Sequence, residues 1–464
     1  MKENSVFPVH EMCFGLKDIE KHVLKYSSRV AETLERQNRL LRKWQFQKFN
    51  LHDKQNFNPE LTRQLQLEKL AKLVDYAYNA IPFYKEHYSK VGFRTGDICT
   101  WSDFESLPFL TKDNLIDSFP NQIVLPGITP DKCYGARTSG SSGRAVNVLC
   151  DDSTSELWML ELFRQYETMM GQSLEPDDII YNIYHSTLAF SSLAGKYRIF
   201  SVSAACPIES IAEHIQIIKP KFISTFPSIL KHLSQYSGDL RKFGVAGICT
   251  NSESSTPGER RFYSEHFNVP VRDEYSSEEL PMIASECSEQ KYHVLEDRIF
   301  FELINTDKTG TGEVVGTDLE NLYMPVIRYQ QGDTARWGNN AERCKCGSKF
   351  RYLDALNGRA DQTLFSKSLG NIDAVHVMGI CDETLIPEKN GIREFRVVQK
   401  SEDLIEVLVV SVVANLEVEK VLVNFKIKMK ELFKFDIEIK FIFFNEIPPL
   451  KSYKRRMIIN EIEK

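Results

Sequence analysis

From about residue 125 to residue 330 the chain changes period repeatedly. Short apolar runs that suit buried strands alternate with stretches that suit helices. "DIIYNIYH", "AACPIESIAEHIQIIK", "FISTFPSILKHLSQY" and "VAGICTNSE" read as strand, helix and strand–turn–helix units. This alternation predicts an α/β architecture of layered sheets and helices.

The alternation does not fill the chain. A sequence of 464 residues is too long for one simple core. From about residue 362 the character changes. "EFRVVQK", "LIEVLVVSVV" and "DIEIKFIFF" read as strands, with "LEVEKVLVNFKIKMKELFK" a helix between the last two. These predict a small α+β unit of roughly 100 residues, with a boundary near Gly358–Asp361. At the other end, Leu67, Leu70, Ala71, Val74, Ala77 and Ile81 recur at the spacing of one buried helix face. Pro59 suits the start of that helix and Pro82 its end. Residues 17–50 are charge-laced and helical in pattern, with Ile19, Val23, Val30, Leu34 and Leu41 on a rough stripe. The expected organisation is a helical extension over 1–58, a large α/β domain over 59–360 and a small α+β domain over 361–464.

With 42% hydrophobic and 26% charged residues, the chain is globular in composition. A formal net charge of −6 offers no bulk attraction to nucleic acid or to an anionic membrane. The first residues, "MKENSVFPVHEMCFGL", lack the continuous apolar stretch of a signal peptide, and no run approaches the length of a spanning helix. A cytoplasmic location is the expectation. Cys150, Cys206, Cys249 and Cys381 stand singly among apolar residues, as reduced, packed thiols do.

Five stretches carry possible chemistry. "GARTSGSSGRAVNV", Gly135 to Val148, concentrates backbone freedom and hydroxyls. Consecutive N–H groups in such a loop can wrap phosphate oxygens; a plain surface turn is the alternative. It is not a Walker A loop, because no Gly-Lys-Ser/Thr follows the glycines. In "RDEYSSEEL", Tyr275 offers a ring for a base and Glu279 a ligand for Mg²⁺, or the segment is an acidic solvated loop. "MPVIRYQQGDTARW" runs an apolar strand into Gly332-Asp333. That carboxylate can accept hydrogen bonds from vicinal hydroxyls such as those of ribose, unless Gly-Asp is a turn. "LNGRADQ" holds Arg359 and Asp361 at the composition boundary, where a linker is the plainer reading. "IPPLKSYKRRMII" places lysines near the C-terminus, as a solvated basic face or as a mobile charge.

In their order and spacing these five stretches resemble the adenylate-forming superfamily, in its branch of phenylacetate–CoA ligases and CapK-like capsule-biosynthesis proteins. "LEKLAKLVDYAYNAIPFYKEHY", "WSDFESLPFLTKDNL" and "FPSIL" extend the similarity, which runs from about residue 61 to the end. The resemblance implies a large N-terminal adenylation domain and a small, mobile C-terminal lid. It implies a carboxylic acid, ATP and Mg²⁺ as reactants and cofactor, and CoA or a carrier-protein thiol as acceptor. It assigns Thr138, Ser139, Gly140, Ser141, Ser142 and Gly143 to the β- and γ-phosphates, with Arg144 where a Lys is frequent. Tyr275 would pack on adenine, Glu279 bind Mg²⁺, and Asp333 bind the ribose with Arg359 assisting. Asp361 would be the hinge and Lys454 the adenylation lysine, with Lys451 a close competitor. A lysine suits that task as a mobile point charge where negative charge crowds.

The sequence departs from the family's patterns at named places. Tyr-Gly-x-Ser/Thr-Glu reads Tyr275-Ser276-Ser277-Glu278-Glu279, and Tyr-Arg-Thr-Gly-Asp reads Tyr329-Gln330-Gln331-Gly332-Asp333. The usual Gly before the C-terminal lysine is Tyr453. An extra carboxylate at Glu278 should repel phosphate unless a metal or an Arg compensates. These departures keep two rivals open: a non-catalytic nucleotide-binding homologue, and an amide-forming synthetase that loads an amino acid or acyl group onto an amine.

Two further groups complete the reading. Cys344 and Cys346 form a Cys-x-Cys-Gly knuckle, and Cys287 and His293 lie upstream. Together they make a Cys₃His set suited to tetrahedral, structural Zn²⁺, as similar cysteines in CapK-like relatives suggest; two unrelated pairs are the alternative. Tyr184, His185, Phe190 and Phe226 are candidates for the acyl pocket or for ordinary core. The acyl substrate and the oligomeric state are not legible.

Overall fold

Two prolines and a run of capping residues set the first third of the chain. The computed structural model describes residues 17–24, 33–138, 145–185, 191–306, 308, 310–339, 343–359, 363–385, 391–411, 416–448 and 457–462. It opens with helices α1 (Lys17–His22), α2 (Leu34–Lys54), α3 (Pro59–Ala80) and α4 (Pro82–Ser89). Asn58 caps α3 and Pro59 occupies its first turn. Pro82 stops α3 as expected, but it also starts α4, where its missing N–H is harmless. The short helices α5 (Trp101–Glu105) and α6 (Lys112–Ser118) each begin with a reciprocal capping box, Thr100 with Asp103 and Thr111 with Asn114.

The stripe expected over 17–50 is corrected. Val23 is not helical; it bridges Val202, and the Leu24 N–H donates to the Ser201 carbonyl at 3.0 Å. Val30 lies outside the described residues, and Leu34 is exposed. The face that α2 buries is Arg36, Gln37, Leu40, Trp44 and Leu51. Its charges are neutralised rather than avoided, as the next helix shows.

After the antiparallel pair β1 (Tyr134–Arg137) and β2 (Asn147–Cys150) comes α7 (Asp152–Met170), buried along nearly its whole length. Glu156 on α7 takes ion pairs from Arg36, Arg39 and Lys43, and Glu167 takes one from Lys48 and a hydrogen bond with His52. Trp44 packs edge-on against Phe163, with ring centroids 5.4 Å apart. Basic α2 thus covers acidic α7.

The α/β alternation then appears as expected: β3 (Ile179–Tyr184), β4 (Arg198–Ser203), α8 (Ile208–Ile218), β5 (Phe222–Thr225), α9 (Pro227–Leu233), β6 (Gly247–Thr250), α10 (Pro257–Phe267) and β7 (Val271–Tyr275). These five strands are parallel. They continue into antiparallel β8 (Ala284–Glu286), β9 (Tyr292–Val294), β10 (Ile299–Ile304), β11 (Thr311–Asp318), β12 (Tyr329–Trp337) and β13 (Tyr352–Arg359). The sheet has eleven strands in the order β10-β11-β12-β13-β9-β8-β7-β6-β5-β3-β4. Its parallel half is covered on one side by α8, α9 and α10, around Ile183, Ile211, Leu230 and Phe267. On the other side it is covered by α7 and α2, around Ile180, Phe163 and Trp44. Helices α3 to α6 pack on the antiparallel half, with Leu70, Tyr84 and Phe104 against Phe300 and Val326. Val23 closes the free edge at β4, which removes an open pairing site.

The C-terminal part holds β14 (Thr363–Ser366), β15 (Gly370–Asp373), α11 (Ala374–Thr384), β16 (Ile392–Ser401), β17 (Leu404–Ser411), α12 (Leu416–Phe433), β18 (Glu438–Phe443) and β19 (Ile458–Asn460). The three expected strands and the helix are present; the β14–β15 hairpin, α11 and β19 are additional. A four-stranded sheet, β18-β17-β16-β19, packs on its own core of Val397, Val407, Phe425 and Phe433. Lys231 on α9 joins it to the larger part through Glu394 at 3.2 Å and Glu446 at 3.1 Å.

Candidate active site

The carboxyl ends of parallel strands are where an α/β sheet leaves an open crevice. Here β7 has a parallel neighbour in β6 and an antiparallel one in β8, so its end lies where the sheet changes character. Tyr275 is the last residue of β7. Its hydroxyl donates to Oδ2 of Asp333 at 2.8 Å, across 58 residues of sequence.

Asp333 lies inside β12 and not in a turn, which corrects the turn reading of Gly332-Asp333. Gly332 has φ of +84°, and the pairing with β13 shifts register between Asp333 and Thr334. A bulge of this kind re-aims a side chain out of a continuous strand, and glycine permits the positive φ without strain. The register partner of Asp333 is Arg359. Leu356 to Arg359 therefore belong to β13 and are not a linker. Asp361 lies outside the described residues.

Glu279 is buried and its Oε1 accepts from the Tyr329 hydroxyl at 3.1 Å. The segment between Tyr275 and Glu279 is tied down by its own hydroxyls. The Leu280 N–H donates to Ser277 Oγ at 3.0 Å, and Ser277 Oγ donates to Gln331 Oε1 at 3.3 Å. Gln331, a departure from the family pattern on its own stretch, is thus tied to the segment that leads to Glu279. Ser276 donates to Oε1 of Glu274 at 2.8 Å. Burial raises the Glu274 carboxyl to about 7. The charge of Glu278 helps raise the phenols of Tyr134 and Tyr184, after burial, so it acts toward β1 and the end of β3.

Thr138 sits at the neck of the Ser/Gly loop. Its N–H donates to the Val146 carbonyl at 2.9 Å, and its Oγ1 accepts from the Val146 N–H at 2.8 Å. Together with the β1–β2 ladder this holds the two ends of the loop together. Ser139, Gly140, Ser141, Ser142, Gly143 and Arg144 lie outside the described residues, as do Lys451, Lys454 and Phe190. Tyr184, His185 and Phe226 come together at the ends of β3 and β5. Ring centroids are 5.1 Å apart for Tyr184–Phe226 and 4.8 Å for His185–Phe226. Tyr184 also hydrogen-bonds Ser252 at 3.0 Å.

Sequence reasoning missed a polar row comprising Ser201, Asn182, Ser224 and Cys249 at aligned positions of β4, β3, β5 and β6. The signal was present in the strands themselves, as a polar residue inside each of "IIYNIY", "RIFSVS" and "FIST".

Cys287, His293, Cys344 and Cys346 converge, with all four donor atoms within 4.8 Å of one another. Sγ of Cys287 lies 3.7 Å from Sγ of Cys344, and Sγ of Cys346 lies 3.3 Å from Nε2 of His293. Nδ1 of His293 is 2.6 Å from the Phe350 carbonyl, which can only accept. Nδ1 therefore carries the proton and Nε2 keeps its lone pair toward the thiols. The donor set and the tautomer both fit a tetrahedral soft-metal site. The hydrogen bond between Cys287 and Cys346 lowers the Cys346 thiol and raises that of Cys287, and burial raises Cys344, so the donor set and the tautomer carry the fit.

No family model matches the sequence. The phenylacetate–coenzyme A ligase of Thermus thermophilus is 24% identical over 335 residues, which is 67% of this chain and 73% of that protein. Protein CapK of Staphylococcus aureus is 22% identical over 414 residues, 86% of this chain and 89% of CapK. Among solved structures, 2-hydroxyisobutyryl-CoA ligase in its postadenylation state shares the fold at a TM-score of 0.70 and 18% identity, covering 88% of this chain and 91% of that one. Among the described residues, no helix is long and apolar enough to cross a membrane. The sequence matches, together with the shared fold, place the chain in the adenylate-forming superfamily, in its phenylacetate–CoA ligase and CapK-like branch.

Proposed function

We propose that this chain is an AMP-forming acid–thiol ligase. A carboxylate resists attack because it is anionic and lacks a leaving group. In the first half-reaction its oxygen attacks the α-phosphorus of ATP and pyrophosphate departs. In the second, a thiolate attacks the acyl carbon and AMP departs with the bonding pair. The acceptor in this reading is CoA, with a carrier-protein thiol as the variant.

The observation that carries the reading is the junction of Tyr275 with Asp333, with Arg359 in register beside it and Glu279 a few residues along. Tyr275 holds one carboxylate oxygen of Asp333, a carboxylate able to accept from vicinal hydroxyls, and the Tyr275 ring would pack on adenine. Glu279 would hold Mg²⁺, which neutralises phosphate charge when bound. The loop from Thr138 to Gly143, with Arg144, would cradle the β- and γ-phosphates. Lys454 would stabilise the charge that builds between carboxylate and α-phosphate, and Asp361 would let the C-terminal part rotate between steps. Cys287, His293, Cys344 and Cys346 would hold a structural Zn²⁺, since four protein ligands leave no open position. The expected location is the cytoplasm.

ATP–pyrophosphate exchange against a panel of acids, with CoA omitted, tests the central claim. Exchange with one acid is the expected result. Silence across a broad panel, in protein that binds ATP by calorimetry, would favour the non-catalytic homologue. Elemental analysis should find one zinc per chain, and a zinc-free preparation of normal stability would dismiss the metal.

A further inference from the structure

Successive residues of a strand face opposite sides of a sheet. Tyr275 turns toward Asp333. Glu274, one residue earlier, turns to the side covered by α7. Its Oε2 lies 3.9 Å from Sγ of Cys249 on β6, which packs in the α7 core. Its charge is felt at Tyr166 of α7 and at Tyr184.

Parallel strands buried beneath helices are ordinarily apolar throughout. This face is not. Asn182, Ser201 and Ser224 are each no more than 3% exposed, and they align in register across three strands. Asn182 donates to Ser201 at 3.1 Å, and Asn251 donates to Ser224 at 3.1 Å. The row therefore satisfies itself. Glu274 stands apart from it, near enough to Tyr184 for its charge to help raise that phenol. Its partners are a serine hydroxyl and a thiol. Among the described residues no ion pair neutralises it, in contrast to Glu156 and Glu167 on α7. A carboxylate set beneath a helix without a cation is costly, and a bound cation would offset that cost. Ser276, which stands where the family has Gly, is the residue that orients it.

We propose that Glu274 is the specificity-determining residue of the acyl pocket, and that the acid activated here carries an amino group whose ammonium sits on the Glu274 carboxylate against the rings of Tyr184 and Phe226. The inference rests on the ligase reading and names its substrate class.

Matched acids that differ only in an amino group test it: β-alanine against propionate, aminohexanoate against hexanoate, phenylalanine against phenylpropanoate. Each would be measured by ATP–pyrophosphate exchange and by calorimetric titration into the full chain. One amine-bearing acid should be preferred over its partner by about tenfold or more, since a site built for a polar group rejects the analogue lacking it. Glu274→Gln, of the same shape, should collapse that preference to about threefold or less while keeping the KM for ATP; Glu274→Leu should favour the unsubstituted acid. A wild-type preference for unsubstituted acids, or a ratio unchanged by Glu274→Gln, would overturn the inference. If no acid supports exchange, the ligase reading fails and titration decides the pocket. Amine-selective binding lost in Glu274→Gln would uphold it, and unselective binding or none would reject it.

Discussion

On one side of β7, Tyr275 meets Asp333 from β12, and Arg359 of β13 lies beside it in register. On the other side, Glu274 lies beside Cys249 and Ser276, and its charge is felt at Tyr184. The first side retains the residue types that the adenylate-forming family uses for its nucleotide. The second carries a half-buried acid beside a buried polar row. The nucleotide is common to every member of such a family, so its contacts tolerate little change. The acyl group is not, and the residues around it are free to vary in charge as well as size. In the proposed reading, adjacent residues of one strand thus answer to different ligands.

The largest expected effect concerns Lys454, proposed to act where nucleotide and acid meet. Lys454→Ala should cut adenylation at least tenfold, and up to about a thousandfold, because a lost transition-state contact is worth a few kcal/mol. Thioester formation from supplied acyl-adenylate should fall much less. Equal loss in both half-reactions would mean that the lysine does not belong to the first step, and Lys451→Ala would then be the variant to compare.

A smaller effect separates the two sides directly. Asp333→Asn should raise the KM for ATP by about tenfold, with every acid alike, because a charge-assisted hydrogen bond is worth roughly 1.5 to 3 kcal/mol. Phe226→Ala should leave the KM for ATP in place and change kcat/KM differently for different acids. If Asp333→Asn reorders the acids, or Phe226→Ala weakens ATP equally with all of them, the division along β7 is wrong.

The sequence disclosed some of this arrangement and concealed the rest, for physical reasons. Apolar periodicity located α3 and the parallel strands β3, β5 and β6, because most of their burial is by apolar side chains. It misread residues 17–50, where α2 buries Arg36 and Gln37 against acidic α7; a pattern of hydrophobic residues cannot register a face made by ion pairs. Each nucleotide-side residue was legible as a chemical type at a familiar spacing. The Tyr275–Asp333 hydrogen bond was not, since it depends on a bulge at Gly332 and on strands 58 residues apart. Glu274 was passed over because, in the string "RDEYSSEEL", it looks like one more acid in a solvated loop. Only the pleat of β7 shows that it points under α7.

The smallest expected effect is a pH dependence of stability confined to the acyl side. Burial raises the Glu274 carboxyl to about 7, well above the ordinary carboxylate range. The folded chain therefore holds this proton more tightly than the unfolded chain does. The stability it confers is complete below the ordinary range near 4.5 and is lost as pH rises through about 7. Glu274→Gln cannot titrate. Asp318, raised to about 6 by burial, weakens the fold over an overlapping window in both proteins and cancels in the comparison; Asp273, also raised to about 6, interacts with Glu274 and cancels only in part. Relative to the wild type, Glu274→Gln should gain stability between pH 5 and pH 8, by about 1 to 2 kcal/mol once partial solvent screening is allowed for. Urea unfolding of both proteins at the two pH values measures the difference. Adding the preferred amine-bearing acid at pH 8 should shrink it, because an ammonium on the wild-type carboxylate removes the cost that Gln avoids. A difference that is flat with pH would place the Glu274 carboxylate in contact with solvent and take away the physical reason for a cation beside it.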